Sequence, residues 1–341
     1  MKKIVLITLS FLAVNVSVAQ SDKQLTHYMF DNMSFNPATT GFKGYCATAI
    51  YRGQWDKVEN APNTMLINVQ GSLPRINSGI GVSFMYDKIG FSTAQEITLN
   101  YSHHLYIPNK GHLSGGLGLG IVTMGFDPNW VTPDQGSTGP DVNLPVAGQT
   151  GLGLDVNFGL HWTAKDYYVG LSATHLTAPE LASVNFTKAR HYYLSGGYHI
   201  TRAMSFAYFL PKGMKVTPSI LYKTDAVAGV LDFNIMVNQW MSGSANNTGF
   251  YGGLTYRHTD AIAILVGLQK RIYSTSKKPG GAIDGGMLKG EADVLKVGYA
   301  YDIMTGPLNE YGLGSHELVV NYCVFAPAPP IHRYGNVFIL Q

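Results

Sequence analysis

"HLSGGLGLGIVTMGF", residues 112 to 126, decides the fold. Leu113, Leu117, Leu119 and Ile121 fall on one parity, and His112, Ser114, Gly116, Gly118 and Gly120 on the other. Successive side chains of a strand point to opposite faces, so one face is apolar and the other is nearly bare. The bare face offers no bulk to a packed core and no charge to water. An apolar side touching lipid and a small side lining a closed interior satisfy both faces at once.

The same period of two runs from residue 44 to 325. "GIGVSFMYD" aligns Ile80, Val82, Phe84 and Tyr86; "EITLNYSHHLYI" sets Ile97, Leu99, Tyr101 and Leu105 against Thr98, Asn100, Ser102 and His104. "GLGLDVNFGLHW" sets Leu152, Leu154, Val156, Phe158, Leu160 and Trp162 against Gly153, Asp155, Asn157, Gly159 and His161. "GVLDFNIMVN" and "DVLKVGYAYDI" repeat the pattern, with Asp232, Asn234, Lys296 and Asp302 on the polar side. Blocks of about 9 to 13 residues match tilted strands crossing a bilayer. Stretches such as "LPRINSG", "IPNKGH", "TAKD", "SANNTG" and "YRHTD" carry turn chemistry between them.

The expected fold is all-β: a transmembrane antiparallel barrel of about fourteen strands, of outer-membrane type. Strands are expected to start near residues 44, 64, 79, 94, 112, 149, 166, 190, 213, 228, 248, 260, 292 and 314. Tyr51, Tyr86, Trp162, Tyr222 and Tyr322 would sit near the interfaces with the headgroups. An even strand count puts both barrel ends at the periplasmic rim, so segments 127 to 148 and 176 to 189 are external loops. On that count, 274 to 292 falls in a periplasmic turn, where it is either an unusually long inward-side insertion or a sign that the strand count is off there. Pro218, within a strand, suggests a bulge.

Composition agrees. Charged residues are 13% of the chain, against about 25% in soluble domains, so a soluble β-sandwich would lack its charged exterior. Past residue 19 the longest apolar run, residues 261 to 268, is far short of the roughly 20 residues of a spanning helix. Net charge is +3 with no basic run longer than a pair such as Lys277-Lys278, which argues against nucleic acid. Lys2 and Lys3, the apolar stretch Ile4 to Val18 and the small residues before Gln20 have the form of a secretory signal. The expected organisation is a signal peptide at 1–19, an N-terminal leader or partial plug at 20–43, the barrel at 44–325 and a periplasmic extension at 326–341. In the leader, Tyr28, Met29, Phe30, Met33 and Phe35 are apolar and "NPATTG" is turn chemistry. Residues 22 to 43 are therefore expected to pack into the periplasmic mouth.

Cys46 and Cys323 stand near the start of the first strand and the end of the last. Closure makes those strands neighbours, so the thiols should come close; a Cα separation beyond about 7 Å would exclude a bond. No Walker loop, HExxH or GxSxG occurs, and "GGLGLG" lies inside a strand. Ser102 or Ser195 with His103, His104 or His199 could suggest a barrel hydrolase, but His103 and His104 must point to opposite faces. Lumen-lining roles explain these residues better, and Asp155, Asp232, Arg257, Lys296, Asp302 and Glu317 could form a lumen charge network. The reading is of a non-enzyme without cofactor or metal.

The segment "HYMFDNMSFNPATTGFKGYCATAIYRGQW" resembles the PorP/SprF family of type IX secretion system membrane proteins. The matching elements are Tyr28-Met29-Phe30, Asn36-Pro37-Ala38 with Gly41, and Tyr51-Arg52 with Gln54-Trp55. Ala61-Pro62 with Thr64, Asp87-Lys88-Ile89-Gly90, Thr217-Pro218-Ser219 and Gly314-Ser315-His316-Glu317 also fit. The resemblance implies a Bacteroidetes-type barrel in the cell outer membrane, in contact with its lipid and working in protein secretion or gliding motility. It implies as partners the periplasmic ring components of the apparatus and one or few secreted client proteins. Its signature residues Asn36, Pro37, Gly41, Tyr51, Arg52, Gln54, Trp55, His316 and Glu317 are then structural or partner-binding. A channel for small solutes is the alternative function.

Overall fold

The computed structural model describes residues 22–126, 148–201, 204–241, 247–272, 293–306 and 314–324. The signal-like segment 1–19, most of the 127–148 loop, the 274–290 insertion and the tail after Phe325 lie outside the described residues.

Fourteen strands close into one antiparallel barrel. We number them β1 (Tyr45–Gln54), β2 (Asn63–Leu73), β3 (Ser78–Ile89), β4 (Ser92–Ile107), β5 (Gly111–Phe126), β6 (Thr150–Thr163) and β7 (Tyr167–Thr174). Then follow β8 (His191–Tyr198), β9 (Met214–Thr224), β10 (Gly229–Trp240), β11 (Thr248–Arg257), β12 (Ala261–Ile272), β13 (Asp293–Met304) and β14 (Gly314–Val324). β1 pairs with β14 from Tyr45↔Val324 to Gln54↔Ser315, so the sheet has no free edge. Closure pairs the first strand with the last, as hydrocarbon requires of a sheet that spans it. Every strand begins within two residues of its expected start.

The zigzag resolves as the sequence requires. Leu117, Leu154 and Ile264 are 52%, 69% and 45% exposed on the outer face, with no second sheet across from them among the described residues. Tyr51 and Tyr222 lie exposed on that face near strand ends, and Tyr86, Trp162 and Tyr322 are half-buried.

Pro218 makes no bulge. Gly197↔Ser219 and Ile200↔Val216 keep one register on either side of it. The missing N–H only interrupts pairing opposite Tyr198 and His199, while the ladder to β10 runs on through Pro218↔Ile235.

Cys46 and Cys323 are register partners, 4.1 Å apart at Cα, and form a disulfide. The bond joins the first strand to the last across 277 positions of sequence. Both thiols stand at the rim where the barrel begins and ends, which is the periplasmic rim in outer-membrane barrels.

The external loop 175–190 turns inward. Leu176 donates to the Val156 carbonyl at 2.9 Å, and Leu181 and Val184 are buried against Val122, Met124, Phe126 and Phe186. The inner face of β5 is thus bare only in its middle; toward the external end it carries bulk that packs this loop.

Candidate functional site

The interior is filled by residues 22–42, whose path explains the bare Gly116 of the opening stretch. Asn36 caps a single 3-10 turn, Pro37–Thr39, by accepting the Ala38 N–H at 3.0 Å; Pro37 supplies the fixed φ of the first position. The Asn36 amide then donates to the Leu160 carbonyl at 3.1 Å and the Leu171 carbonyl at 3.5 Å, bonding the turn to β6 and β7. A Cβ on Gly116 would meet the Ala38 nitrogen at 2.3 Å, and one on Gly159 would meet Asn36 Oδ1 at 2.0 Å. Gly116 is bare because plug backbone occupies its Cβ position and Gly159 because the Asn36 side chain does, whereas Gly118 and Gly120 make room for Asn100 and Thr98 of β4. Gly41, at φ +70°, continues the turn against Gly71 and Gly79 and donates its N–H to Gln70 Oε1 at 2.7 Å.

The segment is not confined to one mouth. At the periplasmic end the Phe42 ring packs edge-on against His104, His112 and His161, with centroids 5.7, 5.7 and 6.3 Å away. In the middle, Phe30 meets the Tyr251 ring edge-on at 5.1 Å and lies 4.9 Å from the Lys296 ammonium. Phe35 packs on Tyr193, and the Tyr28 hydroxyl meets Ser219 Oγ at 3.0 Å. At the external end Asp22 bonds the Nε2 of His191, the first residue of β8, through its own N–H at 3.0 Å. Residues 22–42 therefore run from rim to rim.

A buried charge network holds the upper half. Arg52 reaches Asp302 at 2.6 Å and Glu317 at 3.2 Å; Arg257 reaches Asp302 at 2.9 Å and Asp232 at 3.1 Å. Glu317 also accepts the backbone N–H groups of Thr26 and His27 at 2.8 and 2.6 Å and contacts His27 Nδ1 at 2.7 Å. Thr26 Oγ1 donates to Asp302 at 2.9 Å and accepts from Arg52 at 3.0 Å. Paired charges and saturated lone pairs are what burial demands, since an unpaired ion in this setting costs several kcal/mol. Asp232, Arg257, Asp302 and Glu317 form the network read from the sequence, joined by Arg52, Thr26 and His27. Asp155 lies apart, bonded to His175 Nδ1 at 2.8 Å, and Lys296 serves the Phe30 ring.

The signature residues divide into two groups. Asn36, Pro37, Gly41, Arg52 and Glu317 converge on the plug. The other four stand at the wall and external rim. The Tyr51 hydroxyl donates to Asn63 at 3.1 Å, Gln54 donates its backbone N–H to Pro62, and Trp55, at φ 51°, packs against buried Ala261 and Met304. His316 Nδ1 lies 2.6 Å from the Tyr299 hydroxyl, and its Nε2 lies 3.4 Å from Asp56.

Ser102 and His104 do share a face, 3.0 Å apart. Their polar atoms are taken up by the plug and wall: Ser102 donates to the Thr40 carbonyl at 2.6 Å, and His104 Nδ1 meets Ser114 Oγ at 2.7 Å. His103 points outward and contacts Ser78 at 3.1 Å.

The model of the type IX secretion system membrane protein PorP/SprF family matches residues 17–322. The chain belongs to the PorP/SprF family. It is thus an outer-membrane barrel of the type IX secretion system. No curated protein matches it. Among solved structures it is similar to the CymD monoaromatic hydrocarbon channel, at 10% identity and TM-score 0.50, covering 92% of this chain and 96% of that one. It is also similar to the Pseudomonas putida toluene transporter TodX, at 8% identity and TM-score 0.45, covering 89% of this chain and 93% of that one. At such an identity the likeness to CymD shows the barrel fold alone. In this PorP/SprF chain the family signature that the sequence displays is spent largely on seating the plug.

Proposed function

We infer that this PorP/SprF barrel is a membrane-fixed binding platform for export or surface anchoring of one or few client proteins. Its external loops hold the client, and its periplasmic rim meets the ring components of the secretion apparatus. The observation that carries the reading is the filled interior: residues 22–42 run the length of the lumen and are tied to the wall by the Arg52, Asp302 and Glu317 network. A wall sealed from inside is suited to binding at its two rims rather than to passing solute. Family membership supports work in secretion, and no step of the reading calls for catalysis.

Deleting the gene and comparing surface and culture-medium proteins by mass spectrometry tests the proposal. One or few proteins should disappear from those fractions and return on complementation. An unchanged protein profile, with a defect only in uptake of a small solute, would favour the channel.

A further inference from the structure

Where the plug reaches the external rim, three buried side chains face one another: Asp22 from the plug, His175 just after β7, and His191 at the start of β8. Each offers one ligand atom, and these atoms all lie within 4.8 Å of one another. We propose that they form a site for a divalent transition metal of the zinc type, which pins the outer end of the plug to the barrel wall.

The two rings are oriented as metal ligands are. His191 Nδ1 lies 3.0 Å from the Ala189 carbonyl, an acceptor only, so the proton sits on Nδ1 and Nε2 presents a lone pair. His175 Nδ1 lies 2.8 Å from an Asp155 carboxylate oxygen and is likewise the donor there. A metal-binding imidazole is held in this way, with its far nitrogen donating to a carboxylate or a backbone carbonyl. Both second partners are present here.

His175 also carries a buried polar atom without a hydrogen bond. His175 is 2% exposed, yet its Nε2 has no hydrogen-bond partner. It is aimed at Asp22 Oδ2, 3.8 Å away, too far for a hydrogen bond. A tetrahedral zinc about 2.0–2.2 Å from each ligand sets ligand atoms about 3.4 Å apart, so this pair closes by a few tenths of an ångström and the pairs with His191, within 4.8 Å, by at most about 1.4 Å. The Asp22 carboxylate is already positioned, accepting the Tyr193 hydroxyl on Oδ2 and the Lys23 N–H at 2.8 Å on Oδ1. To bind the ion, His191 Nε2 exchanges the Asp22 N–H for the metal. Two imidazoles and one carboxylate leave a fourth position for water, and the donor set suits zinc better than calcium or magnesium.

Metal-free protein in detergent, titrated with zinc chloride against a chromophoric chelator, tests the site. The wild-type chain should bind one zinc, His175→Gln and His191→Gln should each abolish stoichiometric binding, and Asp155→Asn should weaken it 10- to 100-fold. Absence of stoichiometric binding by the wild type, or binding unchanged in the double His175→Gln, His191→Gln variant, would overturn the proposal. Where a variant fails to fold, X-ray absorption of the zinc-loaded wild type decides. A shell of two imidazole nitrogens and one carboxylate oxygen supports the site, and a shell with fewer than two imidazoles overturns it.

Discussion

The Glu317 carboxylate of the last strand accepts the backbone N–H of Thr26 at 2.8 Å, across 291 positions of sequence. Its other oxygen accepts the next N–H, that of His27. One buried side chain thereby ties the plug to the strand that closes the barrel, and Arg52 of β1 neutralises it from the neighbouring side. Plug seating and barrel closure share a residue.

Replacing Glu317 by Ala should leave two plug N–H groups and the Arg52 guanidinium short of partners inside the lumen. Breaking a buried pair from one side costs about 3–5 kcal/mol. Limited proteolysis should then cut within residues 22–30 in E317A under conditions that spare the wild type. Equal resistance of the two would show that the contact does not hold the plug.

Gly116→Leu should displace the turn at Pro37 and Ala38, because the new Cβ would fall 2.3–2.5 Å from their backbone atoms. The outer face of β5 is unaltered, so the variant should still fold as a barrel and show the usual heat-modifiable gel shift. Ion conductance in a planar bilayer should rise above that of the wild type.

Asp31 gives a pH-dependent outcome. Burial raises its carboxyl above the ordinary range, against hydrogen bonds that lower it. A raised carboxyl means that the ionised form is disfavoured in the folded state. The cost is fully present above the folded value and is relieved as pH falls through it toward the unfolded one. Asp31 Oδ2 and Asn68 Oδ1 are both buried without a partner, although the Asn68 amide donates to the other Asp31 oxygen. Asp31→Asn supplies an amide for Asn68 Oδ1, and each orphaned atom satisfied is worth about 1–3 kcal/mol. The variant should melt higher at neutral pH, with the advantage shrinking as the solution is acidified. A pH-independent gain would show that ionisation is not the cause.

The Cys46–Cys323 bond closes a 277-residue loop, and bonds of this kind stabilise by about 2–4 kcal/mol, mainly through the unfolded chain. The C46S/C323S variant should assemble as a barrel but lose its folded gel band at a lower temperature. Non-reducing peptide mapping of the wild type should recover the two cysteines in one linked fragment.

The wall was legible in the sequence because its signal is local. Alternation of Leu154 with Asp155, or of Leu117 with Gly118, reports which side meets lipid without any knowledge of partners. The plug was legible only as an apolar segment with a turn. Its depth depends on contacts such as Asp22 with His191, Asn36 with Leu160 and Thr26 with Glu317, each linking residues over 120 apart. Of the charge network, the strand residues Asp232, Arg257, Asp302 and Glu317 could be named from parity alone, whereas His27 and Thr26 lie outside any period. The cluster of Asp22, His175 and His191 had one faint signal: the two histidines bracket a single external loop. Gly116 of the opening stretch marks where backbone arrives from elsewhere, which no local pattern can say.

The filled lumen is the claim on which the account rests, and solute flux measures it most directly. Liposomes carrying the full-length barrel should show no swelling in glucose or sucrose, while liposomes carrying a chain that lacks residues 22–42 should swell. Rapid swelling with the intact chain, equal to that of the shortened one, would mean that the plug does not seal the barrel and would contradict the platform.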